Sequence, residues 1–113
     1  MKHEISLSMA IDMTQRYRSE KPANAPICES FELASIQRLL ATPGAAFLRI
    51  YYGQKENGEL DAILVAADAS GNDLLPVEET EIIENSNNDG PLILEDSFRC
   101  PPTCPPGSPL NED

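Results

Sequence analysis

Two cysteines near the C-terminal end, Cys100 and Cys104, are the residues whose type and spacing point most directly at chemistry. They stand in the run CPPTCPPGSPL, which also holds five of the chain's ten prolines. Proline has a fixed φ and no backbone N–H, so this run is neither a helix nor a central strand. Two thiols held close on a stiff turn can bind a metal ion, form a disulfide, or belong to a purely structural tail.

A metal site is the first of these alternatives, because soft thiolates at this separation suit Cu(I) or two corners of a zinc tetrahedron. The stretch resembles the Cys-Pro-x-x-Cys-Pro motif of copper-delivery proteins for cytochrome oxidase assembly. Those proteins have a downstream histidine ligand, whereas the one histidine here, His3, lies far upstream. A zinc set of Cys28, Cys100, Cys104 and His3 is satisfied by count alone. We expect no cofactor and no metal, with Cys100 and Cys104 as the alternative metal ligands.

Residues 85–96 come near the pattern of an EF-hand calcium loop. Asn85, Asn87, Asp89 and Asp96 fall at the oxygen-donor positions of such a loop, with Gly90 at its sharp turn. However, asparagine and aspartate replace the usual first aspartate and last glutamate, and the proline-rich run that follows cannot continue as a helix. We interpret this segment as an ordinary polar loop.

Length and composition predict one domain. The chain has 113 residues, of which 41% are hydrophobic, and that is enough for a core without disulfides. No apolar run approaches the ~20 residues of a membrane helix, and the N-terminal end lacks a signal-peptide pattern. Three cysteines, an odd number, fit a reducing compartment. These features predict a cytoplasmic location.

The charge is strongly uneven along the chain. Its net value is −11, and residues 57–113 carry thirteen acidic residues against one basic residue, Arg99. Such a surface repels phosphate backbones and anionic lipids. We therefore predict that neither nucleic acid nor a membrane is a partner.

Two helices and a hairpin are the elements that have to position any site. Ser6 is a good N-cap for a helix over residues 5–19, and Ser30 for a second over residues 30–41. The buried stripe of the second helix is predicted to hold Leu33, Ile36, Leu39 and Leu40. Two strand-like runs follow, and Asn-Gly between them is a strong hairpin signal. A short third strand near Leu74 and an apolar run over residues 92–94 come later.

The hairpin's register follows if Asn57 and Gly58 form a two-residue loop. Tyr52 then faces Ile63, and one entire face is apolar and should cover the helices. The other face is mixed, as in a moderate interface. We predict that this interface consists of Phe47, Arg49, Tyr51 and Leu64.

The predicted fold is a single α+β domain over residues 1–113. Two N-terminal helices (1–44) pack on a small antiparallel sheet centred on a hairpin over residues 46–67, within a β region of 45–76. An acidic loop and the Pro- and Cys-rich tail (77–113) make the C-terminal third largely irregular. Because the single histidine lies in a terminus, a Ser-His or Cys-His catalytic pair is not indicated, and we lean against an enzyme.

Several segments together resemble one family. They are residues 5–14, Tyr17 with Arg18, residues 30–32, Pro43 with Gly44, residues 48–53, 100–105 and 108–111. In this order they are similar to an uncharacterised family of short bacterial proteins, over nearly the whole length. That family has no assigned activity, so the resemblance implies an intact domain and transfers no site residue.

The sequence therefore predicts a small interaction module without enzymatic activity, which binds an unknown protein or itself. The alternative is a thiol-based metal-binding or redox protein that acts through Cys100 and Cys104.

Overall fold

The computed structural model of the protein describes residues 1–77 and 91–112. In these ranges the chain forms two helices and two antiparallel sheets, which confirms the mixed α and β class. The elements are α1 (Leu7–Glu20), β1 (Cys28–Ser30), α2 (Leu33–Leu40), β2 (Ala45–Gln54), β3 (Leu60–Asp68), β4 (Asp73–Leu74), β5 (Ile93–Leu94) and β6 (Phe98–Cys100). The predicted loop of residues 85–90, with most of the calcium-loop pattern, lies outside the described residues.

Helix α1 begins as predicted. The Ser6 side chain accepts a hydrogen bond from the Met9 N–H at 3.0 Å, which satisfies one of the free donors of the first turn. No side chain of the helix is buried. Its hydrogen bonds to the rest of the chain include one from the Tyr17 hydroxyl to Pro26 O and one from Arg18 to Leu110 O, both at 2.6 Å. The core is therefore built without α1, contrary to the prediction that both helices pack on the sheet.

Helix α2 starts three residues later than predicted, with Glu32 as N-cap, because Ser30 belongs to β1. Leu39 is fully buried against Leu64 and Ala66, and Ile36 packs beside them. Leu33 and Leu40, the other predicted stripe residues, are 70% and 51% exposed. Only half of the predicted stripe therefore faces the core.

The hairpin of β2 and β3 has a register one residue away from the predicted one. Tyr51 lies opposite Ile63, and Ile50 lies opposite Leu64. The turn is longer than two residues, because Gly58 N–H donates to Lys55 O and Lys55 N–H to Glu59 O. Gly58 has a φ of +93°, and no positive φ is recorded for Asn57. This is the three-residue loop in which a glycine in the left-handed region follows a type I turn.

The central strand is β3, which is buried along most of its length. It pairs with β2 on one side, and with β4 and β5 end to end on the other. The predicted short strand near Leu74 is thereby confirmed, and the apolar run of residues 92–94 contains strand β5. Side chains at Leu64, Val65, Ala66 and Ala67 are all below 5% exposed, so both faces of this strand are covered.

A second, two-stranded sheet joins the two ends of the chain. Strand β1 pairs antiparallel with β6, with Cys28 opposite Cys100 and Ser30 opposite Phe98. The proline-rich residues after β6 then run back toward α1. Neither helix in the described ranges has the length and apolar character needed to cross a bilayer.

Candidate interaction surface and cysteine cluster

Strand β2 exposes an unusual amount of apolar side chain. Phe47, Leu48, Ile50, Tyr51 and Tyr52 are 55%, 42%, 51%, 45% and 90% exposed. We call these five side chains, with the backbone of β2, the β2 surface. Side chains of this type are more often buried in a monomer, so their concentration on one strand makes this surface a candidate interaction site.

The position of α2 explains this exposure. Leu48, Ile50 and Tyr52 share the sheet face that holds Leu64 and Ala66, because directly opposite residues point to the same side. Helix α2 packs mainly over β3 and β5 on that face and leaves these three β2 side chains largely exposed. Within the described ranges β2 is also the end strand of its sheet. Its outer backbone edge therefore has no strand partner there.

The opposite face of β2 is held by an internal polar network. Asp73 of β4 accepts hydrogen bonds from Arg49 and from the Tyr51 hydroxyl, both at 2.5 Å, and Arg49 also donates to Gly71 O. The Tyr51 hydroxyl and the Arg49 guanidinium lower the pKa of Asp73. The two side chains thus reach across β3 and connect β2 to β4.

Leu64 does not belong with these side chains. The one-residue difference in register turns it to the α2 face, where it is 4% exposed. Its predicted grouping with Phe47, Arg49 and Tyr51 was therefore wrong. The exposed members of the surface are Phe47 and Tyr51 on this face, and Leu48, Ile50 and Tyr52 on the other face.

All three cysteines meet at the small sheet. Cys100 and Cys104 are joined by a disulfide with their Cα atoms 4.5 Å apart, and Cys28 is free. Because Cys28 lies directly opposite Cys100, the two Cβ atoms are about 4.5–5.5 Å apart on one face of the ladder. Cys100 is fully buried, whereas Cys104 is exposed. No group of three or more His, Cys, Asp or Glu in the described part of the chain is arranged to hold a metal ion, so the four zinc ligands that the residue count allows do not come together there.

A cleft of about 470 Å³ reaches the free thiol from the surface. Its lining includes Tyr17, Cys28, Glu29, Tyr52 and Asp61. Burial, followed by the nearby charge of Glu29, raises the pKa of Tyr17. Cys28 is therefore accessible through an opening that also borders the end of the β2 surface.

A pair of carboxyl groups, Glu29 and Asp61, closes the base of this cleft. Ser97 Oγ donates to Glu29 Oε1 at 2.5 Å, and the Ala62 N–H lies within hydrogen-bond distance of both carboxyl groups. Asp61 is buried, and its Oδ2 atom has no hydrogen-bond partner among the described residues. The positive charge that balances Asp61 is Lys55 Nζ, which lies 3.2 Å from Asp61 Oδ2.

The pKa values of Glu29 and Asp61 are shifted in opposite directions. Burial, followed by the hydrogen bond with Asp61, raises the pKa of Glu29. Burial alone would also raise the pKa of Asp61, but its hydrogen bonds, above all the one with Glu29, outweigh that effect and lower it. When the pair takes up a proton, Glu29 therefore binds it and Asp61 stays ionised beside Lys55.

This arrangement predicts the effect of pH on the Glu29→Gln variant. Because the folded pKa of Glu29 lies above its ordinary value of 4.5, its contribution to stability is present below that value. It is lost as pH rises through the folded pKa. Glutamine keeps the donor to Asp61 without titrating. At pH 8 the free energy of unfolding of the variant should therefore be about 1 kcal/mol higher than that of the wild type.

Thermal unfolding between pH 4.5 and pH 8 measures this difference. Glu32→Gln, an exposed site on the same stretch of chain, is the matched control and should follow the wild-type curve. Parallel curves for the wild type and Glu29→Gln would contradict the assignment of the proton.

Sequence reasoning missed the pairing of Cys28 with Cys100 and the contact of Glu29 with Asp61. Both join residues far apart in the chain, and neither has a local signal. The one similarity between the two segments is that residues 28–30 and 98–100 each contain a cysteine and a charged residue.

Comparison with known proteins adds no relative, since the chain matches no family model, no curated protein and no solved structure. The resemblance to a family of short bacterial proteins stays a prediction. The function therefore has to be inferred from the geometry of the β2 surface and of the cysteines.

Proposed function

We propose that this protein is a cytoplasmic interaction module without enzymatic activity, which binds a protein partner through the β2 surface. The observation that carries the proposal is the set of five large apolar or aromatic side chains, each more than 40% exposed, on one open edge strand. A bare strand edge is a template for another strand, and apolar side chains on both of its faces strengthen such pairing.

The distribution of large apolar side chains between the core and β2 supports this role. The buried hydrophobic set of the described residues contains only two leucines, one valine, one cysteine and three alanines. More large apolar side chains lie on β2 than in this core. Their transfer from water would release about 25 cal/mol for each Å² buried, and the described residues of this chain do not supply that burial.

The apparent mass of the tagged chain in cell extract tests the proposed interaction. We expect the tagged wild-type chain to migrate well above its mass of 12.4 kDa, and Ile50→Lys to migrate as the monomer. Leu33→Lys changes an even more exposed leucine on α2 and should behave as the wild type. If all three chains migrate as monomers, the interaction role is wrong.

The cysteine cluster supports a second candidate function, thiol–disulfide exchange. The free thiol of Cys28 lies next to a disulfide, and the buried sulfur of that disulfide is the nearer one. In the exchange step the Cys28 thiolate attacks Cys100 Sγ, the bond between Cys100 and Cys104 breaks, and Cys104 leaves as a thiolate. The proton lost by Cys28 is taken up by Cys104, so no outside oxidant or reductant is consumed.

The Cys104→Ser variant tests this second candidate. Because a disulfide needs Cβ atoms about 3.5–4.5 Å apart, Cys28 and Cys100 require a movement of roughly 1 Å to join. In a glutathione redox buffer we expect this variant to form an intramolecular disulfide between them, seen by peptide mapping after alkylation. Cys28→Ser should keep only the disulfide of Cys100 with Cys104. Two free thiols in Cys104→Ser would exclude the exchange.

A further inference from the structure

We infer that the partner of the β2 surface is the β2 surface of a second copy of this chain. The two strands pair antiparallel about a twofold axis that passes through Ile50 and stands perpendicular to the sheet. This inference rests on the proposed function and specifies its partner. The result is one continuous sheet with β2 of each copy at its centre.

The side-chain pattern of β2 selects this register. With Ile50 opposite Ile50 of the other copy, Leu48 faces Tyr52, and these apolar side chains form one uninterrupted stripe. On the other face Phe47 lies opposite Gly53, where a ring can cover the strand's one glycine. Cross-strand pairs of aromatic and β-branched residues are the favourable ones in antiparallel sheets.

Neighbouring registers are less favourable. An axis through Arg49 places two guanidinium groups directly opposite each other, and like charges in that position destabilise a sheet. An axis through Tyr51 places Arg49 against Gly53 and Leu48 against Gln54, which breaks the apolar stripe. The axis through Ile50 instead places Arg49 opposite Tyr51, a pair without charge repulsion.

The charge distribution identifies the same edge. The whole chain carries −11, yet the ten residues of β2 carry a single charge, Arg49, which is already paired with Asp73. Two copies therefore approach with least repulsion along this strand. A basic partner would gain nothing from an edge that is electrically neutral, so the edge favours an identical apolar strand.

The available area is of the right size. Phe47, Tyr51 and Tyr52 are 55%, 45% and 90% exposed, and aromatic side chains bury about 150–250 Å² each. The three rings thus offer roughly 300–500 Å² per copy. Leu48, Ile50 and the strand backbone bring the total toward the ~600–800 Å² that each partner buries in a standard interface.

Light scattering and sedimentation on the purified chain test this inference. We expect a dimer of twice 12.4 kDa at micromolar concentration, and at least a 100-fold higher dissociation constant for Ile50→Lys. Leu33→Lys should dimerise like the wild type, and circular dichroism should show that both variants are folded. Raising salt from 20 to 300 mM should strengthen the dimer, because it screens the repulsion between two acidic copies.

Ile50→Cys in the Cys28→Ser background tests the register without disturbing the charge. Oxidation should join two copies through position 50, whereas Leu33→Cys in the same background should stay unlinked. A monomeric wild type, or a dimer indifferent to Ile50→Lys, would overturn the inference. A monomer that still forms an Ile50-dependent complex with another protein in extract would leave the interaction module intact and exclude the second copy.

Discussion

Replacing Leu39 with alanine is expected to lower the free energy of unfolding by about 2–5 kcal/mol, because truncation of a fully buried leucine loses transfer energy and leaves a cavity. Leu39 is 0% exposed and is the one large side chain of α2 that is fully buried. It joins α2 to Leu64 and Ala66 of the central strand. In so small a core few other side chains can move in to fill the space.

Leu40→Ala is the matched control, since the next residue of the same helix is 51% exposed. Its effect should stay below about 1 kcal/mol, as for ordinary surface substitutions. Urea unfolding of both variants measures the difference. Equal losses would mean that α2 packs through Leu40 as well.

The hairpin shows how much of this fold could be read from local sequence. Both strands and the position of the turn were predicted correctly, because alternating apolar residues and Asn-Gly are strong local signals. The register was wrong, since the turn takes Glu56 as a third loop residue and leaves Asn57 out of the left-handed region. A difference of one residue sends every side chain of one strand to the other face.

That single difference changed the candidate surface. The predicted register placed Leu64 outward, whereas the observed one buries it under α2. Phe47 and Tyr51 kept their places on the outer face, because the alternation within β2 does not depend on its partner. Ile50 and Tyr52 were predicted on the face that the helices cover. Both side chains do lie on the face where α2 packs, but α2 does not cover them.

Pairing between distant segments determines features that local sequence signals do not predict. Ser30 is a good helix cap by type, yet it lies in β1 because pairing with Phe98 uses that backbone. Tertiary pairing routinely overrides a local preference worth about 1 kcal/mol. The meeting of Cys28 with Cys100, and of Glu29 with Asp61, follows from the same pairing. None of these contacts has a signature in residue spacing, because they join segments more than thirty positions apart.

The residue that holds these segments together is Arg99. Its side chain is 12% exposed and donates to Leu60 O at 3.1 Å and to Asn24 O at 3.0 Å. A third group, Glu59, lies 3.4 Å from its Nη1 atom. One guanidinium thus connects β6, the linker before β1 and the start of β3, and so positions the cysteines against the large sheet.

Arg99→Ala should therefore lower the free energy of unfolding by about 1–3 kcal/mol, because the carbonyls of Leu60 and Asn24 lose a charged donor. Arg99→Lys should recover less than half of this loss. A single ammonium group cannot reproduce the planar fork that reaches both carbonyls at once. Arg38→Ala, on the exposed side of α2, is the control for removal of a positive charge and should change stability little.

Urea unfolding distinguishes geometry from charge. Arg99 is the one basic residue among residues 57–113, where it faces thirteen acidic ones. If its role were only to offset that charge, lysine would restore wild-type stability, and high salt would reduce the loss in Arg99→Ala. If the fork holds the two sheets together, Arg99→Lys should stay less stable than the wild type at every salt concentration. Hydrogen bonds of a largely buried guanidinium are screened less than surface charges.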